Sequence, residues 1–93
     1  MEFIVFTKPN CVQCNMVKRK LDQEGIIYDT RQLGQQTDAV LREFVAAGHR
    51  SAPIVSIYDG AELWDEFSGF EVSRLNAAIA AHKAKTEGEA GVA

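Results

Sequence analysis

A wholly apolar run, Phe3-Ile4-Val5-Phe6, is followed after the loop Thr7-Lys8-Pro9-Asn10 by a charged stretch with helical spacing that opens on Cys11-Val12-Gln13-Cys14. A short run with no polar residue reads as a strand covered on both faces. Pro9 biases Lys8 away from helix, and Asn10 is a local cap candidate. From Val12 to about Glu24 the apolar positions Val12, Met16, Val17 and Leu21 are expected to share a face, with Lys18, Arg19, Asp22 and Gln23 outside it and Gly25 as the stop. Ile26-Ile27-Tyr28 then begins a second strand that ends near Thr30 or Arg31. Strand, helix and strand in this order must form a right-handed parallel crossover.

The rest of the chain supplies two further helices and a hairpin. Leu33 to Gln36 is a turn, after which Thr37 or Asp38 can cap a helix with core positions Val40, Leu41, Phe44 and Val45, closed by Gly48. His49-Arg50-Ser51-Ala52-Pro53 is a loop before a third strand, Ile54 to Tyr58. Asp59-Gly60 predicts a tight hairpin turn into a fourth strand, Ala61 to about Phe67. Ser68-Gly69 breaks it, and a last helix from about Glu71 to Lys85 carries Val72, Leu75, Ala78, Ile79 and His82 on one face. Residues 86–93 lack an apolar period and are expected to form a flexible tail beyond a single domain over 1–85. The element order is β-α-β-α-β-β-α, an α/β fold with a four-stranded mixed sheet and three helices.

Composition narrows the function classes. Ninety-three residues with 46% apolar and 25% charged content suit one soluble domain. A net charge of −3 argues against nucleic acid or an anionic membrane as the main partner. Met1-Glu2-Phe3-Ile4-Val5-Phe6 has no basic leader pattern, and no apolar segment reaches the ~20 residues of a membrane span. A cytoplasmic protein is expected, where cysteine pairs are transient and functional rather than structural.

The chain's two cysteines are both in Cys11-Val12-Gln13-Cys14. At a helix N-terminus, backbone N–H groups and the helix dipole favour a thiolate, so the first thiol should titrate below the ~8.5 of free cysteine. The second lies about one turn on, within reach of a mixed disulfide formed at the first. Cys11 is therefore the expected attacking thiol and Cys14 the resolving one, with Lys8 adding positive potential. Other uses of such a pair are a zinc half-site or a soft-metal chaperone. Zinc needs about four ligands, and His49 and His82 lack paired spacing, so no metal is expected. Small copper carriers resemble Met-x-Cys-x-x-Cys in a βαββαβ order, whereas Pro9 stands at the position of that Met here.

Three segments together, Thr7-Lys8-Pro9-Asn10-Cys11-Val12-Gln13-Cys14, Ser51-Ala52-Pro53-Ile54-Val55 and Phe67-Ser68-Gly69-Phe70, resemble the NrdH-redoxins, which have a glutaredoxin-like sequence and thioredoxin-like activity. The resemblance implies a minimal, glutaredoxin-type thioredoxin fold with strand order 2-1-3-4. It implies a cis bond before Pro53, placing the Ala52 backbone opposite Cys11 for pairing with a partner segment. It marks Lys8, Val12, Gln13, Ala52, Pro53, Phe67, Ser68, Gly69 and Phe70 as partner-binding candidates, with at least one of the two phenylalanines in the core. It further implies an electron donor to the large subunit of a class Ib ribonucleotide reductase, and a monomer is expected because a thiol that serves large partners must stay accessible. Such a donor holds no bound cofactor and is re-reduced by thioredoxin reductase with electrons from NADPH. A glutathione-dependent dithiol glutaredoxin is the alternative within the same chemistry. Where the family commonly reads Trp-Ser-Gly-Phe-Arg-Pro-Asp, this chain has Phe67-Ser68-Gly69-Phe70-Glu71-Val72-Ser73, so an Arg is replaced by Glu71 and an Asp by Ser73.

Overall fold

A computed structural model describes residues 1–92, and the side chains of residues 1–86. The elements are β1 (Glu2–Thr7), α1 (Val12–Gln23), β2 (Tyr28–Gln32), a single 3-10 turn (Leu33–Gln35), α2 (Asp38–Ala46), β3 (Ile54–Asp59), β4 (Glu62–Ser68) and α3 (Val72–Val92). They build one four-stranded sheet in the order β2-β1-β3-β4. β1 pairs parallel with β2, Phe3 facing Tyr28, and antiparallel with β3, Val5 facing Val55. β4 runs antiparallel to β3 with Phe67 opposite Val55. The expected fold is the observed one.

The central strand explains the unbroken apolar run. Successive side chains of a strand point to opposite faces, and both faces of β1 are covered. Phe3 and Val5 join Val17 and Leu21 of α1, Val55, Ile57 and Phe67 of the sheet, and Leu75, Ala78 and Ile79 of α3 in the main core. Ile4 and Phe6 point the other way, into a smaller core with Ile54 and with Phe44 of α2. At about 25 cal/mol per Å² of apolar area, the larger cluster dominates the stability of the fold.

The structure corrects several local expectations. α1 buries Cys14, Val17 and Leu21, and at about 100° per residue Val12 and Met16 lie on the opposite side of that stripe. Both are exposed, as are Val45 of α2 and Val72 at the start of α3. Ile26 is buried but precedes β2, and Ile27 points into solvent. The hairpin turn falls one position later than expected, at Gly60-Ala61, since Asp59 pairs with Glu62. A register shift at Ile57/Tyr58 passes from Asp65 to Leu63. The extra residue, Trp64, disrupts alternation, which leaves both Leu63 and Trp64 exposed. α3 continues to Val92 rather than stopping near Lys85. The expected tail at 86–93 falls mostly on side chains, and on Ala93, outside the described residues.

Candidate active site

Cys11 is the N-cap of α1. Its backbone is extended (φ −111°, ψ 106°), and its Sγ accepts the Cys14 N–H at 3.1 Å while its carbonyl accepts from Asn15 at 3.2 Å. The cap is thus the cysteine itself and not Asn10, which instead takes a left-handed turn (φ 57°) that swings the chain from the loop into the helix. Asn tolerates that conformation better than most residues. The two sulfurs are joined in a disulfide, with Cα atoms 5.2 Å apart. Cys11 is 8% exposed and Cys14 fully buried. An N-capping sulfur that already accepts a backbone N–H at the positive end of a helix is poised to hold negative charge.

Two other loops close on this pair. Ala52 packs against Cys11 and Cys14, with Leu33 alongside, and the Ala52–Pro53 bond is cis. Pro53 O accepts the Gly69 N–H at 2.8 Å, so the end of β4 holds the loop before β3. From the helix side, Gln13 Oε1 accepts the Phe70 N–H at 3.2 Å. Gly69 lies between these bonds at φ 82°, where a Cβ would stand 3.2 Å from Gln13 Oε1. Only glycine adopts that backbone without strain.

Most of the partner-binding candidates converge here, and one does not. Lys8, Val12 and Gln13 are exposed; Ser68, Gly69 and Phe70 are half-buried. Phe70 packs by one side against the main core. Phe67 is 1% exposed and lies within that core, so it offers no surface to a partner. Its strand position opposite Val55 turns the ring inward beneath α3. Beside the disulfide runs an open groove of about 580 Å³, lined by Leu33, Leu41, Phe44 and Ala52 and flanked by Lys8 and Arg50.

Sequence reasoning missed two polar pairings made by β4. Arg74 of α3 forms an ion pair with Asp65 of β4, through Nε at 3.0 Å, and its guanidinium lies 5.2 Å from the Phe67 ring centroid. The Arg74 hydrogen bond holds the Asp65 carboxyl below its ordinary value despite partial burial. The second pairing joins Ser56, Glu66 and His49. Its signal was a serine amid an apolar strand, uninformative until the register set Glu66 opposite it. Among the described residues, no helix is long and apolar enough to cross a membrane.

A family model described as Glutaredoxin matches residues 3–61. The glutaredoxin-like protein NrdH of Lactococcus lactis subsp. lactis is 37% identical over 71 residues, 76% of this chain and 90% of the relative. Its counterpart in subsp. cremoris is 35% identical over the same shares. Among solved structures, the glutaredoxin-like NrdH-redoxin of Escherichia coli, described as having a thioredoxin-like activity profile, superposes with a TM-score of 0.69. It is 25% identical, over 83% of this chain and 93% of that one.

Proposed function

The chain belongs to the glutaredoxin family, among its NrdH-like members, and is a thiol–disulfide oxidoreductase; from that premise we propose that it is a cytoplasmic electron carrier that reduces the disulfide of a class Ib ribonucleotide reductase large subunit and is itself re-reduced by thioredoxin reductase at the expense of NADPH. The observation that carries this reading is the N-capping sulfur of Cys11, bonded to the Cys14 N–H, on a residue more exposed than Cys14.

The geometry supports the following sequence. The Cys11 thiolate attacks one sulfur of the partner disulfide along its S–S axis. A Cys11–partner bond forms, and the other partner sulfur leaves as a thiolate that takes up a proton. Cys14, one turn along, loses its proton and attacks Cys11 Sγ. The Cys11–Cys14 bond forms and the second partner sulfur leaves. Two electrons have passed to the partner, whose two sulfurs end as thiols with the proton from Cys14 and one from solvent. The Ala52 backbone, beside the sulfurs, pairs with the partner's extended segment. Lys8, Val12, Gln13 and Phe70 border the approach.

Two features favour a protein disulfide over glutathione. The Phe70 N–H, a backbone donor at the rim, is already taken by Gln13. Glu71, exposed next to it, repels a tripeptide that carries two carboxylates.

Insulin-disulfide reduction tests the reading, with one arm driven by NADPH and thioredoxin reductase and the other by glutathione and glutathione reductase. Turnover in the first arm alone, abolished by Cys11→Ser, is expected. Turnover only with glutathione makes the protein a glutathione-dependent glutaredoxin. Silence in both arms moves soft-metal binding by Cys11 and Cys14 to the front.

A further inference from the structure

Three polar side chains meet on the α2 face of the sheet, where the strand pattern otherwise places hydrocarbon. Ser56, 1% exposed in the middle of β3, donates its hydroxyl to Glu66 Oε1 at 2.6 Å across the β3–β4 pairing. Oε2 of the same carboxylate lies 3.1 Å from His49 Nε2. The imidazole packs edge-on against Phe44, ring centroids 6.0 Å apart. The His49 and Glu66 side chains are only 9% and 16% exposed. Where the carboxylate is ionised it only accepts, and the contact then takes the His49 tautomer that donates from Nε2. Leaving either buried partner unpaired would cost more than the bond itself is worth.

The position of His49 gives the cluster its meaning. It stands at the start of the loop His49-Arg50-Ser51-Ala52-Pro53, whose Ala52 packs on the two sulfurs. The last residue of the loop is held by the Gly69 N–H on Pro53 O. Its first is held through its side chain by the Glu66 carboxylate and through its backbone N–H by Phe44 O at 3.0 Å. Gly69 and Glu66 thus tie both ends of the loop to the β4 side of the sheet, in addition to the bond from α2, while Arg50 and Ser51 remain exposed. Losing the His49–Glu66 contact leaves the first end held by its backbone alone and restores part of the freedom that a docking partner must then remove.

We propose that His49 is a positioning residue for protein disulfides: through Glu66 it holds the Ser51-Ala52 backbone in the arrangement on which a partner's extended segment pairs, without touching the reacting sulfurs. This rests on the reading of Cys11 and Cys14 as a pair acting on protein disulfides. A small disulfide, which has no backbone to pair, should not sense the clamp.

The test uses the full chain, reduced with dithiothreitol and freed of it, so that no reductase is involved. Rate constants are measured for insulin and for bis(hydroxyethyl) disulfide, in wild type, His49→Phe and His49→Gln. His49→Phe retains a ring against Phe44 and loses the donor; His49→Gln keeps a donor. The expected result is an insulin rate about fivefold lower in His49→Phe, equivalent to ~1 kcal/mol, with the small-disulfide rate unchanged and the insulin rate largely recovered in His49→Gln. An unaltered insulin rate, an equal loss on both disulfides, or no recovery in His49→Gln overturns the proposal. If His49→Phe does not fold, Glu66→Leu removes the same contact from the β4 side and must give the same split. Wild-type protein that leaves insulin untouched overturns the underlying reading and this inference with it. Active wild type with an indifferent His49→Phe overturns the inference alone.

Discussion

The side-chain oxygen of Gln13 accepts the backbone N–H of Phe70 at 3.2 Å, tying one of the two residues between the cysteines to a loop 57 positions away in the chain. The helix that presents the disulfide is thereby fastened to the segment that opens α3. Gly69 makes the approach possible because it has no Cβ to place against Gln13.

Gln13→Ala removes the acceptor, and at this exposed position water replaces part of the bond. A loss of about 0.5–1 kcal/mol in urea unfolding is expected. Gln13→Glu, which keeps an acceptor oxygen, should lie nearer to wild type. Equal midpoints for the alanine and glutamate variants would show that the acceptor contributes nothing.

Gly69→Ala meets both a left-handed backbone at φ 82° and the Gln13 oxygen 3.2 Å away. A cost of about 1–2 kcal/mol is expected for the backbone, with a further share from displaced Gln13. A double-mutant cycle with Gln13→Ala separates the two, since coupled neighbours depart from additivity by ~0.5 kcal/mol or more. Strict additivity would mean that the two residues do not press on each other.

The asymmetry between the cysteines makes a kinetic prediction. Cys14→Ser should accumulate a covalent complex with a disulfide-bearing protein through Cys11, because the resolving attack is lost. Cys11→Ser should form none. In reduced wild type, a limiting amount of iodoacetamide should alkylate Cys11 first, since Cys14 is fully buried. Peptide mass spectrometry reads both outcomes, and labelling of Cys14 first would reverse the assignment.

Phe67 tests the boundary between core and rim. It is 1% exposed among Val55, Ile57 and Leu75, so Phe67→Ala should cost about 3–5 kcal/mol, close to the whole stability of a small domain. Thermal unfolding near wild type, with only partner reduction impaired, would return Phe67 to the partner surface.

The Asp65–Arg74 pair predicts a pH dependence. The Arg74 hydrogen bond is the largest influence lowering the Asp65 carboxyl; burial opposes it, and the Glu66 backbone N–H and the Arg74 charge reinforce it. A carboxyl whose folded value lies below its unfolded one, ~3.9, stabilises the fold above that value and loses the contribution as pH falls through the folded one. The stability gap between wild type and Arg74→Gln should be constant from about pH 7 to 5 and narrow at about pH 3. A gap independent of pH would instead assign the loss to the contact of Arg74 with the Phe67 ring.

Local chemistry was legible in the chain. Phe3 to Phe6 announced a doubly covered strand because a strand buried on both faces leaves no room for alternation. The cysteine pair at the start of α1 announced the dithiol, because the effect of a helix N-terminus on a sulfur acts within one turn. The strand order came from the resemblance carried by the three motif segments. Less legible was which side of α1 meets the sheet. Val12 and Met16 are apolar like Val17 but lie on the far side of the helix, and Cys14 takes the buried place instead.

From its own residues the sequence determined the element order, the helix that starts at Val12 and the identity of the reactive pair, all properties set by neighbours a few residues apart. The fold settled what depends on distant strands. The bulge at Trp64 exposed both Leu63 and Trp64, the register buried Phe67 opposite Val55, and the same register set Glu66 between Ser56 and His49. Those outcomes follow from how strands slide past one another. A shift of one residue exchanges the two faces of a strand, so only the assembled sheet fixes which side chains meet.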